Sequence, residues 1–584
     1  MYHNNEWDNS SLTKRITASP SLTLKLLPEL SLKTILSYDG TTSNDHLHYT
    51  AKHFNGLSDN GVVHEMSTDY SKLVSSTTAN YTKSFGLHNL GLLAGFEAEK
   101  NETKFIRATG RDLPSSSLYT VATAGKLDAQ AYSWGNSMVS ILSRFEYNYN
   151  ERYFGSVSYR KDGASKLGPS VRWGDFWSIG GAWNLKREGF FENIEDINSL
   201  RIRASYGLNG TLPSPNNSWR ALATYNNKYM EQPGGGLANS PNPNITWETN
   251  YNTTAAVEFG LFKNKLFGSL EYYNRDTKDL LQNVPQSLIT GFSSSVKNVG
   301  QINNKGWEIL LGSDIINQND WKWTLSVNAA TLSSKVIKLN DGEEIIWNDP
   351  TGGDARTRFI YREGESTLAF YGLEWAGVDQ TNGKNVWYIN DPNNPDGDFE
   401  FNGRGATYSY TKAQRVIIGN ANPKLFGGIN TNVEYKNISL GLNFNYKIGG
   451  KLYDGANKDV ADDGYYWERM HSQDFIDNTW DPNTQSGSYP VITGRDLEDV
   501  NQVSSRHIYD ASFLRLKNVV LAYNLPTQVL QSARISNARI FFNGSNLLTF
   551  SKYKIADPEV NQYSTRGWET PIAKTFTFGI DFSF

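Results

Sequence analysis

Residues 437–448 read NISLGLNFNYKI, and apolar and polar side chains alternate along them without a break. The even positions are apolar and the odd positions are small or polar: Ile438, Leu440, Leu442, Phe444, Tyr446 and Ile448 against Asn437, Ser439, Gly441, Asn443, Asn445 and Lys447. Successive side chains of a β-strand point to opposite faces, so an alternation with a period of two indicates a strand. The predicted strand has one apolar side and one wet side.

The same alternation recurs from one end of the chain to the other, and no amphipathic helical segment of comparable strength competes with it. It is clear in 145–149, 153–159 and 266–272. About nineteen strands are predicted, near 21–27, 30–38, 69–84, 88–99, 138–149, 152–161, 173–185, 198–209, 247–260, 264–279, 296–313, 320–333, 366–378, 385–390, 425–435, 437–449, 511–524, 535–548 and 571–584.

The predicted connections alternate between short turns and long loops. Short turns fall at 28–29, 86–87, 150–151, 262–263, 315–320, 379–384 and 436, and long loops at 39–68, 100–137, 210–246, 334–365, 391–424 and 450–510. Transmembrane β-barrels place short turns on the periplasmic side and long loops outside. A soluble β-sandwich also explains the strands, but it gives no reason for short turns and long loops to alternate along the chain. The pattern therefore favours an all-β fold, a transmembrane antiparallel β-barrel with long extracellular loops.

Composition agrees with a membrane protein built from strands. Aromatic residues make up 13% of the chain, mean hydropathy is −0.53, and no apolar run approaches the roughly 20 residues of a membrane helix. The net charge is −4 with scattered Lys and Arg, so we expect no nucleic-acid partner. The chain has no cysteine, which excludes disulfides, thiolate metal sites and cysteine nucleophiles.

The final ten residues, TFTFGIDFSF (575–584), carry the most specific local signal. Aromatic and aliphatic side chains alternate with small or polar ones, and the apolar positions are Phe576, Phe578, Ile580, Phe582 and Phe584. As an ordinary edge strand this segment would be an aggregation hazard, which barrel closure removes. It resembles the terminal-strand signature read by the outer-membrane assembly machinery, and we predict that it is such an assembly signal.

Seven further segments extend the pattern over nearly the whole chain. They are 162–183 (DGASKLGPSVRWGDFWSIGGAW), 200–210, 247–248 with 277–281, 298–310, 419–428 (GNANPKLFGG), 513–526 (FLRLKNVVLAYNLP) and 543–559 (NGSNLLTFSKYKIADPE). In this order they resemble segments of the SusC/RagA-like TonB-dependent receptors of Bacteroidetes. The resemblance implies the outer membrane of a Gram-negative bacterium. It also implies a full-length protein with a signal peptide, an N-terminal β-sandwich, a TonB box, a plug domain and a barrel of about 22 strands.

We expect residues 1–584 to be one TonB-dependent receptor-like β-barrel domain that is incomplete at its N-terminus. Residues 1–20 lack the charged and apolar regions of a signal peptide, and no sandwich, TonB box or plug is recognisable. Single-chain bacterial barrels have even strand numbers, so about nineteen strands imply that an odd number is missing from the front, and the barrel of about 22 strands that the resemblance implies makes that number about three. Such a fragment is expected to be inactive on its own.

The resemblance implies TonB-dependent uptake of oligosaccharides or peptides, with no chemistry on the substrate and hence no enzyme activity and no cofactor. The implied partners are a SusD-like surface lipoprotein, the TonB complex and outer-membrane lipid. Two alternatives remain, the barrel of a siderophore or cobalamin receptor and a soluble β-rich glycan-binding protein. The segments LRLKNV (514–519) and KYKIADPE (552–559) favour the SusC-like reading over the first alternative.

No catalytic constellation and no metal site is predicted. His46 and His48 have the spacing of one strand face, but both fall in a predicted long polar loop, where we expect them to be solvated. In Asp391–Asp398 (DPNNPDGD) the glycine has the wrong offset for a calcium loop, and Pro395 stands where a ligand should be.

The substrate candidates are the aromatic residues of DDGYYWERMH (462–471), in the longest predicted external loop: Tyr465, Tyr466 and Trp467. Such rings are typical of sugar-binding surfaces, and they equally pack loops over a barrel mouth. Gly300, Gly306 and the pair 427–428 are predicted to be bulges or points of close approach that help strands curve.

Overall fold

The computed structural model describes residues 5–213, 216–230, 232–350, 357–461, 470–492, 502–530 and 535–583. Within these ranges the protein is nearly all β, and nineteen strands belong to a large antiparallel sheet. This confirms the predicted fold class. None of the helices in the described ranges is long and apolar enough to cross a membrane.

The strands and helices follow one another in chain order. The first sixteen strands are β1 (Trp7–Ala18), β2 (Ser21–Lys25), β3 (Leu30–Tyr49), β4 (Val62–Phe85), β5 (His88–Arg111), β6 (Lys126–Tyr149), β7 (Tyr153–Ala164), β8 (Trp173–Asn184), β9 (Ile197–Thr211), β10 (Ala223–Tyr229), β11 (Gln232–Leu237), β12 (Glu248–Leu261), β13 (Leu266–Pro285), β14 (Ser294–Gln318), β15 (Trp321–Thr331) and β16 (Ser333–Lys338).

The remaining strands are β17 (Ile345–Asn348), β18 (Arg358–Tyr361), β19 (Ala369–Gly372), β20 (Trp375–Val378), β21 (Asn385–Tyr388), β22 (Phe399–Phe401), β23 (Arg404–Thr407), β24 (Val416–Asn420), β25 (Leu425–Tyr435), β26 (Ile438–Ile448), β27 (Lys451–Asp454), β28 (Ile508–Asp510), β29 (Phe513–Asn524), β30 (Asn537–Ser551), β31 (Thr565–Arg566) and β32 (Thr575–Ser583). The helices are short: α1 (Gly189–Glu192), α2 (Gly455–Val460), α3 (Gln473–Asn478) and α4 (Thr527–Leu530).

The chain forms two compact units. The first comprises Met1–Trp183, Ser205–Asn252 and Lys278–Val299, and the second Asn184–Ala204, Thr253–Thr277 and Gly300–Phe584. In the first unit, β1 and β2 pair with consecutive parts of β3, and β3 to β8 are antiparallel neighbours in chain order.

The long strands of the first unit correct two predicted loops. Strands β4, β5 and β6 each have 24 residues, whereas a strand needs only about 9–11 residues to cross a membrane. Much of 39–68 and 100–137 is therefore strand, and the connections shrink to 50–61 and 112–125. In these extensions polar residues occupy both faces, so the period-two signal ends before the hydrogen-bonded ladder does.

The prediction that His46 and His48 are solvated loop residues is wrong. Both lie in β3, where the His46 Nδ1 lies 2.7 Å from the Glu65 Oε1 of β4. His48 is buried, and its ring lies nearly parallel to the Tyr119 ring with centroids 4.3 Å apart. The loop that carries Tyr119 folds back over the end of β3, a contact between residues far apart in sequence.

In the second unit, β14, β15, β25, β26, β29, β30 and β32 follow one another as antiparallel neighbours. The segment NISLGLNFNYKI forms β26 as predicted. A tight turn joins it to β25, in which Lys436 has a φ of 51°. Strand β32 pairs with β30, and its described apolar side chains are exposed: Phe576, Phe578, Ile580 and Phe582. Phe584 lies outside the described residues, and the assembly signal stays a prediction.

Two segments that were predicted to be barrel strands, 366–378 and 385–390, do not belong to the large sheet. They contain β19, β20 and β21, four-residue strands of two small four-stranded sheets, and 379–384 is the hairpin turn between β20 and β21. Consecutive residues such as Val386 and Trp387 are both buried. These segments are apolar because both of their faces are covered, and sequence alone does not separate that pattern from a membrane strand.

The small sheets belong to a folded layer that we call the loop layer: residues 339–350, 357–420, 450–461, 470–492, 502–512 and 552–573. It contains three small sheets, β17-β18-β19-β24, β20-β21-β23-β22 and β28-β27-β31. One of its cores packs Phe359, Phe370 and Tyr453 against Ala421. The long connections of this unit are thus ordered by their own hydrophobic cores.

Candidate functional site

The wet face of β26 lines a cavity of about 550 Å³ in the second unit. Asn443, Asn445 and Lys447, the odd positions of the predicted strand, all border it. Seven of the lining residues carry side-chain carboxamides: Asn328, Asn422, Asn430, Asn443, Asn445, Asn561 and Gln562. Each carboxamide offers both a donor and an acceptor without carrying charge, so this wall suits uncharged polar ligands.

Aromatic rings and two charged groups complete the lining. The rings on the same face as Lys447 are Phe426 and Phe513. The charged groups are Lys447, whose Nζ donates to the Ser564 Oγ at 3.2 Å, and Glu559. Ring faces beside carboxamides provide apolar contact and directed hydrogen bonds in the same space.

Three of the segments that carried the family resemblance meet at this cavity. The segment 419–428 supplies Asn422 and Phe426, the segment 513–526 supplies Phe513, and Glu559 ends the segment 543–559. Their residue types are typical of loops and strands, and nothing in the sequence shows that they converge. The three-dimensional structure alone brings them together.

An ion-pair cluster holds the wall formed by 557–564. The Arg515 side chain of β29 is 1% exposed, and its guanidinium pairs with the carboxylates of Asp557 and Glu559. The Lys517 Nζ lies 3.7 Å from the same Glu559 carboxylate. These residues explain the two diagnostic segments physically, because LRLKNV supplies the cations and KYKIADPE the carboxylates. A buried guanidinium needs such partners to offset its desolvation.

A second buried charge cluster ties the loop layer together. The Asp454 carboxylate, fully buried at the start of α2, accepts hydrogen bonds from Arg566 Nη1 at 2.7 and 2.9 Å and from the Tyr553 hydroxyl. Burial, with the adjacent Asp454 carboxylate, raises the pKa of Tyr553 far above its usual value. Tyr553 therefore acts as a permanent hydrogen-bond donor. The cluster joins β27 to β31 across more than a hundred residues.

His507 lies close to these groups in a fully enclosed position. It is 2% exposed, and its ring packs edge-on against Tyr453 with centroids 6.3 Å apart. Burial first, and the nearby cations Arg506 and Lys458 next, hold the pKa of His507 well below its usual value. The imidazole is therefore neutral at physiological pH.

The site can bind and position a polar ligand, and it places the Ser564 hydroxyl within hydrogen-bond distance of the Lys447 amine. In the described part of the chain, no three His, Asp or Glu side chains are grouped to hold a metal ion. The predicted substrate residues Tyr465, Tyr466 and Trp467 lie outside the described residues. The carboxamides of the cavity were not predicted as site residues, since asparagine in a strand is read first as solvent-facing.

Three comparisons with known proteins agree with this architecture. The family described as "TonB dependent receptor-like, beta-barrel" matches residues 2–360. TonB-dependent receptor P3 of Formosa agariphila is 30% identical over 559 residues, 90% of this chain and 54% of the relative. TonB-dependent receptor SusC of Bacteroides thetaiotaomicron is 25% identical over 524 residues, 86% of this chain and 49% of the relative. The chain thus spans about half the length of these curated relatives.

Among solved structures, the RagAB peptide transporter is similar over 100% of this chain and 63% of its own matched chain, with 25% identity and a TM-score of 0.87. The RagAB peptide importer in the open-open state gives the same TM-score, 0.87, over 100% of this chain. The likeness therefore covers the loop layer as well as the long strands.

Proposed function

Because the chain belongs to the TonB-dependent receptor-like β-barrel family, we propose that it serves, in the outer membrane of a Gram-negative bacterium, as the barrel of a SusC/RagA-like importer of oligosaccharides or peptides. The whole of 1–584 would be this barrel domain. Its partners would be a SusD-like surface lipoprotein and the TonB complex.

The observation that carries the proposal is the whole-chain likeness to the RagAB peptide transporter. The cavity supports it independently, since the carboxamides in its lining can exchange hydrogen bonds with the amide groups of peptides and the hydroxyls of sugars alike.

The test is deletion of the gene in the bacterium that carries it, followed by uptake assays. Four labelled substrates are compared: neutral oligosaccharides, oligopeptides, a ferric siderophore and cobalamin. Loss of oligosaccharide or oligopeptide uptake, restored by the gene in trans, is the expected result. Loss of siderophore or cobalamin uptake alone would establish the alternative receptor class, and unchanged uptake of all four would overturn the proposal.

Fractionation provides the control for location. A barrel protein pellets with outer membranes and changes its gel mobility on heating, because the folded barrel resists detergent at room temperature. A soluble monomer would contradict the proposal and favour the soluble glycan-binding alternative. Copurification of a surface lipoprotein from detergent extracts tests the proposed partner.

A further inference from the structure

Three aromatic side chains of the first unit form what we call the aromatic strip: Phe105 of β5 with Tyr132 and Trp134 of β6. Phe105 lies directly opposite Tyr132, with ring centroids 4.8 Å apart. The Tyr132 and Trp134 rings are 5.4 Å apart, with planes 26° from parallel. Tyr132 is 47% and Trp134 45% exposed. Exposed apolar surface that is contiguous marks interaction sites.

The aromatic strip lies on the polar face of the sheet. It shares that face with Glu97 of β5 and with the buried Ser140 of β6. The opposite face carries Phe96 and Ile141, which are both exposed. Because side chains alternate along a strand and a membrane barrel turns its apolar face to lipid, the aromatic strip faces the lumen.

The distance of the aromatic strip from the periplasmic end of the barrel follows from its position along β5. His88 begins β5 directly after the short turn at 86–87. At about 3.3 Å per residue, Phe105 lies roughly 55 Å farther along the strand. With a strand tilt of about 40° this is roughly 43 Å along the barrel axis, and the apolar band is only about 25 Å tall. The aromatic strip therefore lies beyond the outer edge of the membrane, on the inner wall of the extracellular part of the barrel.

Hydrogen-bonding groups without partners surround the rings. Among the described residues, nothing hydrogen-bonds to the Tyr132 hydroxyl, the Trp134 indole N–H or the carboxamide of Gln130. Opposite Gln130 stands Arg107, whose Nε is buried and without a hydrogen-bond partner. The aromatic ring faces of the strip thus lie beside polar groups that no other described side chain binds.

A chain of hydrogen bonds fixes the wall beside the rings. The Tyr70 hydroxyl donates to Asn101 at 3.4 Å, Asn101 donates to Asn136 at 3.2 Å, and Asn136 donates to Asn216 at 3.4 Å. Asn101 lies directly opposite Asn136, two residues from Trp134 on the same face. Groups held in this way lose little freedom when a ligand binds.

We propose that the aromatic strip is a saccharide-binding subsite. A sugar ring packs its C–H face on Tyr132 and Trp134, and its hydroxyls bind Gln130 and Arg107. Because β5 and β6 are each paired on both sides, neither offers the free edge at which an extended peptide can add as a further strand. The inference rests on the proposed function and narrows its substrate class to oligosaccharides.

The test is calorimetric titration of the receptor, extracted from outer membranes in detergent, with cellohexaose, maltohexaose, hexagalacturonate and a neutral octapeptide. We expect at least one saccharide to bind, and Tyr132→Ala and Trp134→Ala each to weaken it about tenfold. Ile106→Ala is the matched control, because Ile106 is 57% exposed on the opposite face of β5. Arg107→Gln should weaken hexagalacturonate more than the neutral sugars, which separates acidic from neutral substrates.

The inference is overturned if no saccharide binds, if the octapeptide alone binds, or if the double Tyr132→Ala, Trp134→Ala variant keeps wild-type affinity. Loss of lipoprotein copurification with unchanged saccharide affinity would also overturn it, since the strip would then be a protein contact. Heat-modifiable mobility of every variant shows that it is folded. Oligopeptide uptake that depends on the gene, without saccharide binding, would leave the proposed function standing and refute only this subsite.

Discussion

The Tyr446 hydroxyl donates a hydrogen bond to the Asn328 carbonyl oxygen, 2.9 Å away, although β25 lies between their strands. The ring passes over Gly427, where a Cβ would lie 2.0 Å from that oxygen and 2.8 Å from the hydroxyl. Gly427 is thus a point of close approach, as predicted. The ladders of β25 with β15 and β26 keep their register there, so it is not a bulge.

A second tyrosine in the same compact unit, the second one, makes the same kind of contact across a glycine. The Tyr273 hydroxyl donates to the Thr331 carbonyl oxygen at 3.0 Å, and Gly306 lies beneath the ring. Gly300 differs, because it stands next to a register shift between Gln301 and Ile302 in the pairing of β14 with β16.

Gly427→Ala should destabilise the barrel by about 1–3 kcal/mol, the usual cost of forcing extra volume into a packed position. The measurement is the temperature at which heat-modifiable gel mobility is lost. Gly155→Ala is the control, since a Cβ at Gly155 in β7 meets nothing within 4 Å. Equal melting of both variants would contradict the role given to Tyr446.

Arg515→Met should loosen the wall of the cavity. Removing one partner of a buried ion pair costs about 3–5 kcal/mol, and the lower end applies here because Asp557 and Glu559 are partly exposed. Hydrogen exchange of peptides covering 552–566 should accelerate. Arg15→Gln, which removes the exposed pair with Asp39, should leave exchange unchanged; protection of 552–566 in both variants would refute the anchoring role.

The loop layer should lose stability as pH falls below about 6.5. The folded-state pKa of His507 is depressed, so its stabilisation is complete above the unfolded value of about 6.5 and decreases below it, by about 1.4 kcal/mol per pH unit until the folded pKa is reached. Hydrogen exchange of 451–461 and 504–510, corrected for intrinsic rates, should increase between pH 7.5 and 5.5. Carboxylates such as Glu374, whose pKa is lowered by Arg404, contribute only at lower pH.

His507→Gln should flatten that pH dependence, because the carboxamide does not titrate. It leaves Arg506, Lys458 and Asp459, the charged groups nearest the imidazole, in place. If the variant loses protection over the same pH interval as the wild type, another group is responsible.

The two faces of β26 should respond differently to a charge. Phe444→Arg should cost about 2–4 kcal/mol near the bilayer midplane, and Asn445→Arg should cost little because the polar lumen hydrates it. Single cysteines in this cysteine-free chain identify the environments. A membrane-impermeant thiol reagent should reach position 445, and a lipid-soluble quencher position 444. If both reagents reach only position 445, the even face is a protein core and not a lipid contact.

The sequence by itself determined the all-β fold, the faces of β26 and the family. These depend on alternation between neighbouring residues and on short segments such as LRLKNV, signals that are complete within a few residues. Strand ends were less well predicted, because β3 to β6 continue where both faces are wet and the alternation fades.

Only the tertiary structure decided what lies between the barrel strands. The burial of His48 under Tyr119, the small sheets of the loop layer and the pairing of Arg515 with Asp557 all join residues separated by tens of positions. Asparagine on a wet strand face looks the same in sequence whether it meets bulk water or a cavity. Its environment is set by which loop folds over the strand, and that is a long-range packing outcome that no local pattern encodes.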